Sequence, residues 1–78
     1  MTEAEIREIA VGILADIAPD TDPASLAGGQ DIREGLDIDS MDFLNFVVAL
    51  HQRTGTEIPE SDYPKLFTLD GVATYLAQ

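Results

Sequence analysis

The chain has 78 residues, fifteen acidic against four basic side chains, a net charge of −11 and no cysteine. Its length suits one small domain, 1–78, with a single core and modest stability, burying about 60% of the unfolded surface. The charge repels nucleic-acid phosphates and anionic lipid and favours basic protein partners, whose association should weaken with salt. The absence of cysteine removes disulfides, thiolate catalysis and thiolate metal sites. A hydrophobic fraction of 45% is too high for a disordered acidic tail. No apolar run is long enough to span a membrane and nothing reads as a signal peptide, so the expectation is a cytoplasmic, monomeric protein.

The first predicted element is an amphipathic helix. Thr2-Glu3-Ala4-Glu5 has the form of a capping box, with Thr2 at the N-cap and Glu5 at N3. Ile6, Ile9, Ala10, Ile13, Leu14 and Ile17 recur at helical spacing as one apolar stripe. Gly12 weakens this helix by about 1 kcal/mol relative to alanine, and Pro19 ends it.

Residues 19–39 form a connection of about twenty residues, long for a compact domain. Leu26, Ile32, Leu36 and Ile38 are expected to pin it to the core. Pro23 after Asp22 suits the opening of a short helical turn, so an ordered loop with one or two such turns is predicted.

A strong helix follows, from about Ser40 to Thr54. Asp39 is the N-cap, Asp42 stands at N3 and Gly55 ends it. At about 100° per residue, Phe43, Phe46, Val47, Leu50 and Thr54 share one stripe. Met41, Leu44 and Val48 make a second. A helix this apolar either lies centrally in a bundle or meets a partner on its second side. Glu57-Ile58-Pro59 reads as an extended link. Glu60 to Phe67 has room only for a short helix, interrupted by Pro64. Thr68 caps a last helix whose apolar face is Leu69, Val72, Ala73 and Leu76. With no useful alternating pattern, the predicted fold is all-α: a four-helix bundle of three main helices and one short one, with a long loop between the first two.

Asp39-Ser40-Met41 is the most informative stretch. It puts a primary hydroxyl on the first turn of a helix, after a long loop. A phosphoryl group on that oxygen would face the positive end of the helix dipole and free backbone N–H groups. Asp37, Asp39 and Asp42 would oppose the phosphate but attract a basic or metal-bearing enzyme that installs it. By spacing alone, an ordinary first-turn serine beside a plain cap is the simpler reading.

Leu36-Asp37-Ile38-Asp39-Ser40-Met41-Asp42 resembles the Asp-Ser-Leu segment of acyl carrier proteins. The resemblance continues through Val47-Val48-Ala49-Leu50 to Thr56-Glu57-Ile58-Pro59, reaches Thr68, Leu69, Tyr75 and Leu76, and includes the first helix. It implies a four-helix bundle of acyl-carrier type in which Ser40 carries 4′-phosphopantetheine, attached by a phosphopantetheinyl transferase. The arm's thiol would hold an acyl or aminoacyl group as a thioester, presented to loading and transferring enzymes with basic docking patches. The chain itself would be non-catalytic. Asp39 and Asp42 would contact basic groups of those partners.

Some positions depart from the usual carrier pattern. Asp37 stands where glycine is common. Asn45, His51, Gln52 and Arg53 replace the glutamates that many fatty-acid carriers place along the recognition helix. Phe43 and Phe46 are bulkier than the residues usual there. These departures suggest a specialised carrier outside general fatty acid synthesis, docking through Asp39, Met41, Asp42, Leu44, Val48 and His51; alternatively, Leu44 and Val48 are simply buried. The large aromatics would fill the space between helices and favour a short or polar cargo exposed to solvent.

Other functional readings are weaker. A peptidyl or aminoacyl carrier domain of a nonribosomal or polyketide system remains open, although the start at Met1 and the closure near Gln78 favour a discrete protein. An unmodified acidic interaction module is the second class. The acids of residues 37–42 lack the glycine and distal glutamate of a calcium loop, so no specific metal site is expected. His51 has no second histidine or cysteine to act with. Tyr63 and Tyr75 read as packing residues, and Ser25 and Ser61 as loop or cap residues.

Overall fold

The computed structural model describes residues 1–77. Each long helix begins where the sequence supplies an oxygen for the unpaired N–H groups of its first turn. Helix α1, Glu3–Ile17, opens on the reciprocal box: the Thr2 hydroxyl accepts from Glu5 N, and Glu5 accepts from Thr2 N. The hydrogen bonds that the exposed Glu5 carboxylate accepts from Thr2 N and from the Thr2 hydroxyl hold it below its ordinary range. Ile6, Ala10, Ile13 and Leu14 are buried, while Ile9 and Ile17 pack partly exposed at the edge of the same stripe. The helix ends with Ala18 as its C-cap, just before Pro19.

The connection after α1 is ordered, and it contains two helical turns. Pro23–Ser25 is a 3₁₀ turn with proline at its start. Helix α2, Ile32–Leu36, is a short α-helix capped by Asp31, whose carboxylate accepts from Arg33 N at 2.8 Å and Glu34 N at 3.3 Å. Ile32 and Leu36 are buried; Leu26 and Ile38 pack at the core's edge. Backbone bonds from Ile32 N to Phe67 O and from Asp70 N to Gly28 O strap the connection to the C-terminal part of the chain. Among the described residues the nearest thing to a strand is the single bridge that pairs Asp31 with Thr68.

Helix α3, Ser40–Thr54, buries Phe43, Phe46, Val47 and Leu50. The predicted stripe is thus correct except at its end. Thr54 is half-buried and turns its hydroxyl back to the Leu50 carbonyl at 2.7 Å. Gly55 closes the helix in the left-handed region at φ 70°, where an L side chain would be strained.

The next element is short, as expected of a segment that contains Pro64. Glu60–Leu66 is 3₁₀ throughout, with Pro64 inside it. Asp62 N donates to Pro59 O and Phe67 N to Pro64 O, so one turn closes before the proline and another starts on its carbonyl. Pro64 has no N–H to give the Ser61 carbonyl, so the i→i+3 ladder is interrupted there.

Helix α4, Leu69–Leu76, is capped by the Thr68 hydroxyl, which accepts from Gly71 N at 3.0 Å. Helix α1 packs against both α3 and α4, and the Glu60–Leu66 segment packs on α4. The core is apolar throughout, with no buried polar or charged residue among the described residues. Polar ties lie at its margin. Arg7 pairs with Asp70 across α1 and α4. Both ends of that pair are exposed, which limits it to below about 1 kcal/mol. The Tyr75 hydroxyl donates to Asp62, lowering the Asp62 pKa and raising that of Tyr75.

Candidate functional site

The site is assembled at the junction of α2 and α3. Leu36 closes α2, and the chain reverses through Asp37, which sits in the left-handed region at φ 54° and ψ 45°. This is the position at which glycine is common in the resembled pattern, and the backbone explains the preference. A Cβ in this region meets the following carbonyl, although aspartate tolerates it better than most residues. Asp37→Gly should therefore stabilise the fold by about 0.5 kcal/mol after glycine's entropic penalty is counted. A urea titration should show a higher midpoint with an unchanged slope.

Asp39 then adopts an extended conformation and caps α3, its carboxylate accepting from Asp42 N at 2.9 Å. One carboxylate oxygen is thus committed to holding the helix end. Ser40 is the first residue inside the helix and is exposed. Its side chain stands at the start of a 15-residue helix beside N–H groups that have no intrahelical acceptor. A phosphoryl group on Ser40 Oγ would project toward solvent at the positive helix end, so the position fits a phosphodiester-linked arm.

The remaining expected contact residues follow along the same helix. Met41 is 69% exposed, Leu44 43% and Val48 45%. This removes the alternative in which Leu44 and Val48 are simply core residues. Ser40, Leu44, Val48 and His51 fall within a narrow sector at 100° per residue, and Met41 flanks it. His51 is exposed, with Nδ1 2.8 Å from the Thr56 carbonyl, a contact that ties the helix end to the loop beyond it. Asp42 is half-buried next to the cap. The expected residues therefore share one helix, but Asp39 and Asp42 gather at its start while the apolar residues run along its outer side.

Two grooves border this helix. One, of about 470 Å³, begins at Ser40 and Met41; Phe43, Leu44, Tyr63 and Phe67 make its apolar walls, and Arg33 and Glu60 also line it. The other, of about 340 Å³, lies between Val47, Val48 and His51 on α3 and Ile58, Pro59 and Tyr63 on the following segment. Beneath them the interior is filled by aromatic rings. Phe46 is fully buried, the Phe43 and Phe46 centroids are 6.0 Å apart, and Phe43 meets Phe67 edge-on at 5.3 Å.

Arg33 is not among the residues expected at the site. Its guanidinium lies 3.8 Å from the Phe67 ring centroid and 5.8 Å from that of Phe43. Asp31 fixes it through Nη2 at 3.2 Å, and the hydrogen bonding of Arg33 to Asp31 is the first cause of a lowered Asp31 pKa. Among the described residues no group of three or more histidine, cysteine, aspartate or glutamate side chains is gathered to hold a metal ion.

Known proteins point the same way as this geometry. A family profile described as "Phosphopantetheine attachment site" matches residues 4–76. A protein named acyl carrier protein from Campylobacter hominis is 36% identical over 72 residues, which cover 92% of this chain and 85% of that one. Another of the same name from Thermosynechococcus vestitus is 32% identical over 76 residues, 97% of this chain and 93% of its own. A third, from Lactobacillus acidophilus, is 29% identical over 76 residues, 97% of this chain and 94% of its own. With a helical bundle, a matching profile over nearly the whole chain and relatives of its own size, this chain belongs to the acyl carrier protein family, whose prosthetic group is 4′-phosphopantetheine.

Proposed function

We propose that the chain is a non-catalytic carrier that bears 4′-phosphopantetheine on Ser40 and presents an acyl or aminoacyl thioester to partner enzymes. The observation that carries this reading is the exposed Ser40 hydroxyl on the first turn of α3, set between Asp37, Asp39 and Asp42. A phosphopantetheinyl transferase with a divalent metal would join Ser40 Oγ to the phosphopantetheine phosphorus of coenzyme A. The new P–O bond replaces the pyrophosphate link, adenosine 3′,5′-bisphosphate leaves, and the serine proton passes to a base of the transferase. The thiol so acquired is the only one on the protein, since the chain has no cysteine.

The outer face of α3 supports a specialised set of partners. After Asp42 no acid follows until Glu57, while Met41, Leu44 and Val48 are exposed. Charge would steer a basic enzyme to the Ser40 end, and apolar contact along the helix would complete docking. The rings of Phe43, Phe46 and Phe67 fill the space behind Ser40, which favours a short or polar cargo held outside the core. Among the described residues no helix is long and apolar enough to cross a membrane. The net charge of −11 disfavours self-association and anionic lipid, which supports the reading of a monomeric carrier in the cytoplasm.

Intact mass spectrometry tests the central claim. Incubated with coenzyme A, magnesium and a broad-specificity transferase, the chain should gain one phosphopantetheine, and Ser40→Ala should gain none. Failure to gain mass with several transferases would favour an unmodified interaction module. A gain retained in Ser40→Ala would place the arm elsewhere.

A further inference from the structure

The groove that starts at Ser40 contains a single cation among apolar walls. The chain has four lysine and arginine residues, and of these only Arg33 lines this groove. Its planar face rests on Phe67 and its edge is fixed by Asp31, so its position is set by contacts independent of any ligand. The side chain is still 40% exposed. Guanidinium offers five donors, and Asp31 takes bonds from Nε and Nη2, leaving Nη1 and part of Nη2 free. A pre-placed guanidinium with open donors suits an oxyanion, and holding it on an aromatic face reduces the entropy lost on binding. Ser40 on the same groove is surrounded by Asp37, Asp39 and Asp42, so a phosphodiester there meets like charge unless a cation offsets it.

We propose that Arg33 is the anion-holding residue of the Ser40 groove, binding an oxyanion of the modified carrier and thereby laying the arm along Phe43, Leu44 and Phe67. The oxyanion is either the phosphodiester of the arm or a carboxylate at the far end of the cargo. The inference rests on attachment at Ser40. Glu60 lines the same groove and repels either anion, so the phosphodiester, fixed to Ser40 at the start of the groove and needing no flexible arm to bring it there, is the better-matched source.

The experiment compares wild type, Arg33→Gln and Arg33→Lys, each loaded by the transferase with coenzyme A, butyryl coenzyme A or succinyl coenzyme A and checked by intact mass. Absence of loading refutes attachment at Ser40, and this proposal falls with it. On loaded chains, the phosphodiester ³¹P signal and the Arg33 ¹⁵Nε signal are read at low salt and at 1 M salt, where screening falls to about 3 Å. If the phosphodiester is the ligand, Arg33 Nε shifts between apo and unacylated holo chains. The ³¹P signal then differs between wild type and Arg33→Gln, Arg33→Lys recovers part of that difference, and 1 M salt reduces it. If the cargo carboxylate is the ligand, Arg33 Nε is unmoved by the bare arm and by butyryl but shifts with succinyl. A loaded chain in which neither signal responds in any arm overturns the proposal. Amide spectra of each variant show whether the fold is kept, and the wild-type Arg33 signal decides between these outcomes even if Arg33→Gln unfolds.

Discussion

Phe46→Ala should remove most of the stability of this chain. The ring is fully buried and belongs to the cluster built by α1, α3 and α4. Deleting it loses the transfer energy of the ring and leaves a cavity, together about 3–5 kcal/mol for a buried aromatic. A chain of this length is stable by about 4–12 kcal/mol in total, and small domains lie toward the lower end. The same change should lower the thermal midpoint by more than ~12 °C, since each kcal/mol moves it about 4–8 °C at this size. Circular dichroism melts of apo protein provide the measurement. A fall of less than ~4 °C, the effect of about 1 kcal/mol, would mean that the helices close over the gap, and that the aromatic filling behind Ser40 is not what keeps cargo out of the core. Arg33 adds a reason to expect a large loss, because Phe46 supports Phe43, on whose ring, with that of Phe67, the guanidinium lies.

The elements legible in the sequence are those fixed by neighbours in the chain. The Thr2–Glu5 box, the Asp39 cap and the Thr68 cap each need a hydroxyl or carboxylate within three residues of its N–H partner. Gly55 ends α3 for an equally local reason, its positive φ. The two long apolar stripes identify the core because a 15-residue helix repeats its period often enough to be read. Helix α2 has five residues and no period, so the sequence supports only a turn there; the signal it does carry is Asp31 followed three residues later by Glu34, with a left-handed residue at Asp37. Arg33 is not legible at all. Its stacking partner Phe67 is 34 positions away, and only the strap between Ile32 N and Phe67 O brings the two segments together. Pro64 marks this segment as short, but the 3₁₀ form that the segment takes has no signal of its own in the sequence. For the site, Ser40 and its cap follow from sequence, whereas the grooves and the exposure of Leu44 and Val48 depend on how α3 packs.

Leu44→Asp and Val48→Asp should each cut loading by the transferase while leaving the bundle folded. Both side chains are nearly half exposed, so the burial each change forfeits is about 1 kcal/mol, a shift of only a few degrees in the thermal midpoint. At an interface the same change is larger. A carboxylate placed against an apolar contact is desolvated without a partner, and loss of a central contact typically exceeds about 2 kcal/mol. That corresponds to a roughly 30-fold fall in kcat/KM for phosphopantetheine transfer. Extra negative charge by itself works in the opposite direction, since it strengthens attraction to a basic enzyme. Ala4→Asp, which adds the same charge on the exposed first turn of α1, separates the two effects. It should leave kcat/KM unchanged or slightly raised, most visibly at low salt where screening is weak. The two α3 variants should stay impaired at every salt concentration, because their defect is lost apolar contact. Unchanged transfer in both, with folding intact, would leave Leu44 and Val48 without a role in recognition by the transferase. If only Leu44→Asp is impaired, the contact lies on the Ser40 groove that Leu44 lines, whereas Val48 borders the second groove between α3 and Ile58.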